Sequence, residues 1–261
     1  MKLAVLIKQV PDSDDVKMDP VKGTMIRDGA NSIVNPLDLN ALEAAFALRD
    51  DFGGEVTVIS MGPPSAEWAL RETLSLGADS AVLLSDRLFA GADSWATSLT
   101  LTKALKKFGP FDVVLAGEKA TDGETGQVGP EVAALLNIPC ATYVSSIKFT
   151  GSHIIAERSI EDGRQTQKIQ LPCLLTVLNN INEPQMPTLS GKKRARRMPV
   201  AVLSAEDLEI RKEEAGLTGS PTRVVKIEHP KLFRQTEFYR GKELSAGVEK
   251  VVETLRGMSV I

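Results

Sequence analysis

The sequence predicts an α/β fold, a mainly parallel sheet with helices on both faces. Two observations carry that prediction. Up to about residue 138, short apolar runs alternate with stretches in which apolar residues recur at helical spacing, the pattern of repeated βαβ units. Beyond Pro139, closely spaced strand-like runs separated by turn residues replace that alternation, as in an antiparallel section at one edge of the sheet.

In order, residues 3–8 form an apolar first strand. Leu39, Leu42 and Phe46 mark a helix, with Asn35-Pro36 as its cap and first turn. Residues 55–61 are a strand ending at Gly62-Pro63-Pro64, and Ala66, Leu70 and Thr73 lie on a helix that stops at Gly77. Residues 80–84 are a strand, and Leu101, Leu105 and Phe108 belong to a helix closed by Gly109-Pro110. Residues 111–116 are another strand, followed by a helix carrying Val128, Val132, Leu135 and Leu136. Strands over 142–149, 154–159, 165–171 and 173–178 make up the antiparallel section. Past Asn179 the chain is polar and poorly periodic until a last helix at 242–256. The expected organisation is an α/β domain with its edge hairpins at 1–182, a loop at 183–200 and an extended C-terminal arm at 201–261.

The most informative segment is Gly117-Glu118-Lys119-Ala120-Thr121-Asp122-Gly123-Glu124-Thr125-Gly126-Gln127-Val128-Gly129-Pro130. It joins a buried strand to a helix N-terminus through small and hydroxyl-bearing residues. The first amides of a helix have no internal partners and sit at the positive end of its dipole, so such a junction suits an anion. Gly123, Gly126 and Gly129 let a phosphate approach the backbone. Two readings stand side by side: a nucleotide site, or an ordinary loop with Asp122 or Thr125 as the N-cap. Ligands of such sheets sit beyond the carboxyl ends of strands, where the strand order reverses. Three loops fall at carboxyl ends, after Lys8, Met61 and Ala116.

Other chemistry is sparse. The sequence has no Gly-x-Gly-x-x-Gly fingerprint and no Walker loop. Its two histidines, His153 and His229, suggest no metal cluster and read as surface residues. Cys140 and Cys173 have no metal or redox spacing, which fits a reduced cytoplasmic protein. Net charge is −3 and aromatics make up 5%, which gives no case for nucleic-acid binding. No apolar run is long enough to span a bilayer. Lys192-Lys193-Arg194-Ala195-Arg196-Arg197 is a dense basic run beside Met186 and Leu189. It reads either as a docking surface for an acidic partner or phosphate, or as a solvated loop.

Together these segments resemble the β subunit of electron transfer flavoproteins, with a Rossmann-like, adenine-nucleotide-binding sheet. The resemblance rests on Lys8-Gln9-Val10-Pro11-Asp12, on Asn35-Pro36-Leu37-Asp38 with Ala41-Leu42-Glu43-Ala44-Ala45, and on the loop from Asp122 to Pro130. The family's signature hairpin matches Ala156 to Thr166 and runs on through Leu171-Pro172-Cys173-Leu174-Leu175-Thr176. Gln167 stands where the family usually has an aliphatic residue, and Glu161-Asp162-Gly163 replaces its usual Asp-Gly-Gly.

The resemblance implies a heterodimer with an α subunit that carries one FAD, while the β subunit holds a second nucleotide. That nucleotide is structural AMP in the conventional type and a second FAD, close to an NADH site, in the electron-bifurcating type. Asp122 to Pro130 resembles the bifurcating group's Asp-Gly-Asp-Thr-Ala-Gln-Val-Gly-Pro, with Glu124 for its Asp and Gly126 for its Ala. Residues 23–29 with Ser32 to Pro36 point the same way. By this correspondence Leu6, Asn35, Met61, Gly117, Ala120, Asp122, Gly123, Glu124, Thr125, Gly126, Gln127 and Val128 form the cofactor site. Leu6 and Met61 have ordinary core packing as a rival role, and Asn35 a simple helix cap. Leu189 with Lys192, Lys193 and Arg194 would dock an acyl-CoA dehydrogenase.

Three functions follow. The first is bifurcation of electrons from NADH to an acyl-CoA dehydrogenase and to ferredoxin or flavodoxin, an enzymatic activity of the αβ complex only. The second is conventional transfer between acyl-CoA dehydrogenases and a membrane quinone oxidoreductase, with AMP in the same pocket. The third, from another class, is a nucleotide-binding regulatory module related to ATP-binding stress proteins.

Overall fold

The computed structural model describes residues 1–12, 32–225 and 236–261. The expected motif at 23–29 and His229 lie outside these described residues. The chain divides into two units, Met1–Val225 and Lys226–Ile261.

The first unit opens with β1 (Lys2–Leu6), a short antiparallel pair β2 (Gln9–Pro11) and β3 (Ser32–Val34), and helix α1 (Pro36–Phe52). It continues through β4 (Glu55–Met61), α2 (Glu67–Leu76), β5 (Ser80–Leu84), α3 (Ser94–Phe108), β6 (Val113–Gly117) and α4 (Val128–Leu136). The punctuation is local. Pro36 opens α1 in the first turn, where an amide would have no intrahelical acceptor, and the Asp93 carboxylate caps α3 by accepting the Ala96 N–H at 3.1 Å. Then come β7 (Cys140–Phe149), β8 (His153–Ile160), β9 (Gly163–Gln170), β10 (Cys173–Val177), α5 (Leu189–Ala195), β11 (Ala201–Leu203) and a one-turn helix, α6 (Gly216–Gly219).

Among the described residues, nine strands form one sheet in the order β11-β5-β4-β1-β6-β10-β7-β8-β9. All neighbours are parallel from β11 to β7, and β8 runs antiparallel to both β7 and β9. One apolar cluster, with Leu3, Val5, Leu42, Phe46, Leu70 and Leu115, fills the face under α1 and α2. A second, with Ala4, Leu6, Ile59, Leu101, Leu105 and Val132, fills the face under α3 and α4. The parallel part of the sheet is covered on both sides, as parallel sheets require.

The sequence reading and the structure part company at two places. Cys173–Val177 was expected in the antiparallel edge section; instead β10 lies inside the sheet, parallel to both β6 and β7. All five of its residues are buried, so a strand apolar at every position but Thr176 takes a position with two covered faces. The polar β9, exposed at most positions, takes the edge. Residues beyond Asn179, in which no element was read before the last helix, carry α5 and β11. The latter extends the sheet by pairing with β5, and residues 201–225, read as the start of an arm, lie in the first unit. In the second unit, α7 (Leu244–Gly257) is amphipathic, with Leu244, Val248 and Val251 exposed.

Cys140 and Cys173 sit on adjacent strands but contribute to opposite faces. Burial pushes their thiols up to about 11 and about 12, so neither is a nucleophile near neutral pH. Among the described residues no helix is long and apolar enough to cross a membrane.

The position of β10 makes a testable demand. Leu175 is fully buried between two parallel neighbours, so Leu175→Ala is expected to cost about 3 kcal/mol through lost burial and a residual cavity. Urea unfolding measures it. A loss under about 1 kcal/mol would mean that β10 is not closed on both faces.

Candidate functional site

The chain runs from β1 outward to β4 and β5, then returns to place β6 on the other side of β1. Strand order therefore reverses between β1 and β6, and in such sheets the loops beyond the carboxyl ends part there to leave a crevice. The segments that meet there are Ile7 and Lys8 after β1, the start of α1 after β3, and the loop from β6 to α4.

Two side chains from the start of α1 knit this crevice. Asn35 is fully buried. It stands at the N-cap position of α1, yet its side chain makes no capping bond. Its Nδ2 donates to the Lys119 carbonyl at 2.9 Å, and its Oδ1 accepts the Thr121 N–H at 3.3 Å. The simple cap expected as its rival role is thus replaced by a brace on the loop after β6. Asp38 lies in the first turn of α1. Its Oδ2 accepts the Lys8 N–H at 2.8 Å and its Oδ1 the Gly117 N–H at 3.1 Å. One carboxylate joins the ends of the two strands that flank the reversal. Burial pushes Asp38 up to about 7, against the pull of Asn35, the two amides and the Lys8 charge. Gly117 has to be glycine, since a Cβ there would stand 2.5 Å from Asp38 Oδ1.

The loop itself is tied at both ends of its turn. Ala120 O accepts the Gly123 and Glu124 amides at 3.4 and 2.9 Å. Lys8 Nζ donates to Asp122 Oδ1 at 2.6 Å, with the Asp122 side chain only 5% exposed. Lys119 and Glu124 form a second, more exposed pair at 3.2 Å. Gly126 takes a left-handed φ of 63°, which glycine adopts without strain. The N-cap of α4 is Gln127, with no side-chain cap bond, so neither Asp122 nor Thr125 caps the helix. Among the described residues, the amides of Thr125, Gly126, Gln127 and Val128 have no hydrogen-bond partner within the chain. Four consecutive donors at a helix N-terminus, with Thr125 and Gln127 exposed and Gly126 half-buried, make an anion cradle.

The structure therefore brings Asn35, Gly117, Ala120 and the stretch from Asp122 to Val128 to one crevice. Leu6, at the end of β1, and Met61, the last residue of β4, both pack with the apolar cluster under α3 and α4. Leu6 is 6% exposed and Met61 half-buried. Lys8 and Asp38, each quoted above only as part of a motif, turn out to organise the site. An aspartate three residues after an asparagine at a helix start was the available signal, but its partners lie 30 and 79 residues away.

The basic run is separate from this crevice in construction. α5 is held on α2: Arg71 Nη1 donates to the Ala195 carbonyl at 2.9 Å, and Arg194 Nη2 to the Leu74 and Ala78 carbonyls at 3.1 and 3.0 Å. Arg194 is thus engaged in anchoring the helix. Leu189 is 74% exposed and Met186 87%, with Lys192 and Lys193 exposed beside them.

A doubly wound sheet with free helix-start amides at its strand-order reversal is an arrangement that suits a nucleotide, and comparison with known proteins gives it a family. A model of the electron transfer flavoprotein domain matches residues 22–208, and the chain belongs to the electron transfer flavoprotein family. It is 48% identical to the electron transfer flavoprotein subunit beta of Thermoanaerobacterium thermosaccharolyticum over the whole of both chains. Identity is 44%, again over the whole of both chains, to the caffeyl-CoA reductase-Etf complex subunit CarD of Acetobacterium woodii. It is 46% to protein FixA of Azorhizobium caulinodans, over 88% of this chain and 85% of that one. The chain is of the β-subunit kind, an electron-transport component whose family associates with flavin and nucleotide.

Asp38 gives a pH dependence. Its folded value, about 7, lies above the ordinary 3.8, so the folded state holds the proton more tightly than the unfolded chain. That contribution to stability is complete below the ordinary carboxylate range and is lost as pH rises through about 7. Thermal unfolding of wild type and Asp38→Asn across this window tests it: the variant is expected to lack this fall. Parallel profiles would mean that Asp38 does not titrate there.

Proposed function

We propose that this chain is the β subunit of a heterodimeric electron transfer flavoprotein that holds FAD in the crevice between β1 and β6. In that assembly electrons from NADH are divided between an acyl-CoA dehydrogenase and ferredoxin or flavodoxin. The observation that carries the reading is the run of four amides from Thr125 to Val128, unpartnered among the described residues, in the loop that follows β6 at the strand-order reversal. The relative in Acetobacterium woodii, named as part of a caffeyl-CoA reductase-Etf complex, supports the bifurcating form. So does the likeness of Asp122 to Pro130 to that group's loop. The family's β-subunit names also fit a conventional carrier with AMP in the same crevice.

The residues present suit a dinucleotide's phosphates. The amides of Thr125 to Val128 would bind them, with the α4 dipole adding to the attraction. Asn35 holds the loop at Lys119 and Thr121, and the Lys8–Asp122 pair fixes its turn. Leu6 and Met61 would supply the apolar wall. When bound, FAD supplies the redox chemistry, accepting a hydride and releasing electrons singly. The protein's share is to position it and to set its surroundings.

For docking, we propose that residues 183–200 form the partner-recognition loop, with Leu189 as the anchor and Lys192 and Lys193 for steering. The hold of Arg194 on α2 keeps α5 still while Leu189 projects. The C-terminal segment, through the exposed apolar side chains of α7, packs on the α subunit. NADH, the dehydrogenase and a cytoplasmic setting belong to this proposal.

Two measurements test it. The purified complex with the α subunit, denatured and assayed by absorbance and mass, is expected to release two FAD and no AMP. NADH is expected to reduce it directly. One FAD with one AMP and no NADH reaction would establish the conventional form instead. Leu189→Ala is expected to weaken electron delivery to the dehydrogenase tens-fold, equivalent to about 2 kcal/mol for a truncated anchor, with nucleotide content unchanged. Transfer at the wild-type rate under limiting dehydrogenase would remove Leu189 from the interface.

A further inference from the structure

We infer that Asp38 is the positioning residue of the nucleotide crevice, a carboxylate clamp whose charge state sets how firmly the phosphate loop is held. The inference rests on the nucleotide reading above. Asp38 does not face the cradle; it acts through Lys8 and Gly117. Its two oxygens each take a different amide, one from the residue that leaves β1 and one from the last residue of β6. These are the two walls of the crevice. The same helical turn carries Asn35, whose amide group grips the loop two and four residues after Gly117. A loosened clamp therefore shifts the base of the loop that carries the four free amides. Gly117, which leaves no room for a Cβ against Asp38 and Leu37, allows no slack in this junction.

Two N–H donors aimed at separate oxygens match an ionised carboxylate, and the first turn of α1 favours its charge. A protonated carboxyl has one oxygen turned into a donor and suits only one of the two amides well. Among the described residues the charged groups around Asp38 are few. Lys8 favours the ionised form, but its ammonium is engaged by Asp122. On the loop, Lys119 pairs with Glu124. With burial opposing ionisation, the change of state falls at about 7. Ionisation thus lowers the stability of the fold while ordering the site, an exchange common at functional positions.

The test is nucleotide affinity of the full chain, wild type and Asp38→Asn, with FAD and in a parallel series AMP, at about pH 6 and about pH 8. Asparagine mimics the protonated group by offering one acceptor and one donor. The ratio of wild-type to variant affinity, in which any titration of the nucleotide's own phosphate cancels, is expected to be about ten at the higher pH and near one at the lower. A ratio near one at both would overturn the clamp, since a wild-type chain that binds shows the site itself to be sound. Wild type binding neither nucleotide at either pH would overturn the nucleotide reading, and the inference with it. Should Asp38→Asn not fold, amide hydrogen exchange in the wild type decides. Protection of the Lys8 and Gly117 N–H groups, corrected for intrinsic rates, is expected to rise through neutral pH. A flat profile would contradict the clamp.

Discussion

The rest of the site depends on the pair of hydrogen bonds that Asp38 accepts from Lys8 and Gly117. A doubly wound sheet must part its loops where strand order reverses, because the helices that follow β1 and β6 lie on opposite faces. Parting makes a crevice but leaves two strand ends with amides directed into it. Here one buried carboxylate answers both amides, and its neighbour Asn35 answers the loop beyond them. The local backbone needs of α1, β1 and β6 are met by one turn of helix. Among the described residues, the amides from Thr125 to Val128 are then the ones left over.

Much of this fold was legible from pattern. Glu55–Met61 and Ser80–Leu84 match their expected bounds, since each is a short, mainly apolar run rich in branched residues and followed by turn residues. The helices followed from periodicity and from Gly77, Gly109 and Pro36. The strand position of β10 was less legible. A run such as Cys173 to Val177 looks the same whether it ends a hairpin or slips between two parallel strands, and the choice is made by which neighbours can cover both its faces. Strand β11 has three residues, two of them exposed. It is a strand because β5 offers it an edge, not because of its own sequence.

The site divides in the same way. The loop from Gly117 to Pro130 was visible as a strand–helix junction rich in small residues, and its role as an anion cradle followed from helix physics. The roles of its supports were not visible. Asn35 looked like a cap because it precedes Pro36, but the side chain turns to a loop over 80 residues away in sequence. Asp122 looked like a cap because it precedes a helix, but Lys8 takes it. In each case a local use of the side chain competes with a tertiary one, and only the folded chain shows the tertiary partner. Arg194 is a further example: within a solvated-looking basic run, it reaches back to the end of α2 and makes a firm platform of what composition presents as a loop.

The central claim is that the crevice at the reversal of strand order is where the nucleotide sits, with its phosphate on the amides of the β6–α4 loop. Amide chemical-shift mapping of the isotopically labelled full chain, titrated with FAD and with AMP, tests this most directly. The largest changes are expected at Thr125, Gly126, Gln127 and Val128, with smaller ones at Lys8 and Gly117, and little change along β8 and β9. Shifts centred on α5 or the antiparallel edge, with Thr125 to Val128 unmoved under saturating nucleotide, would contradict it.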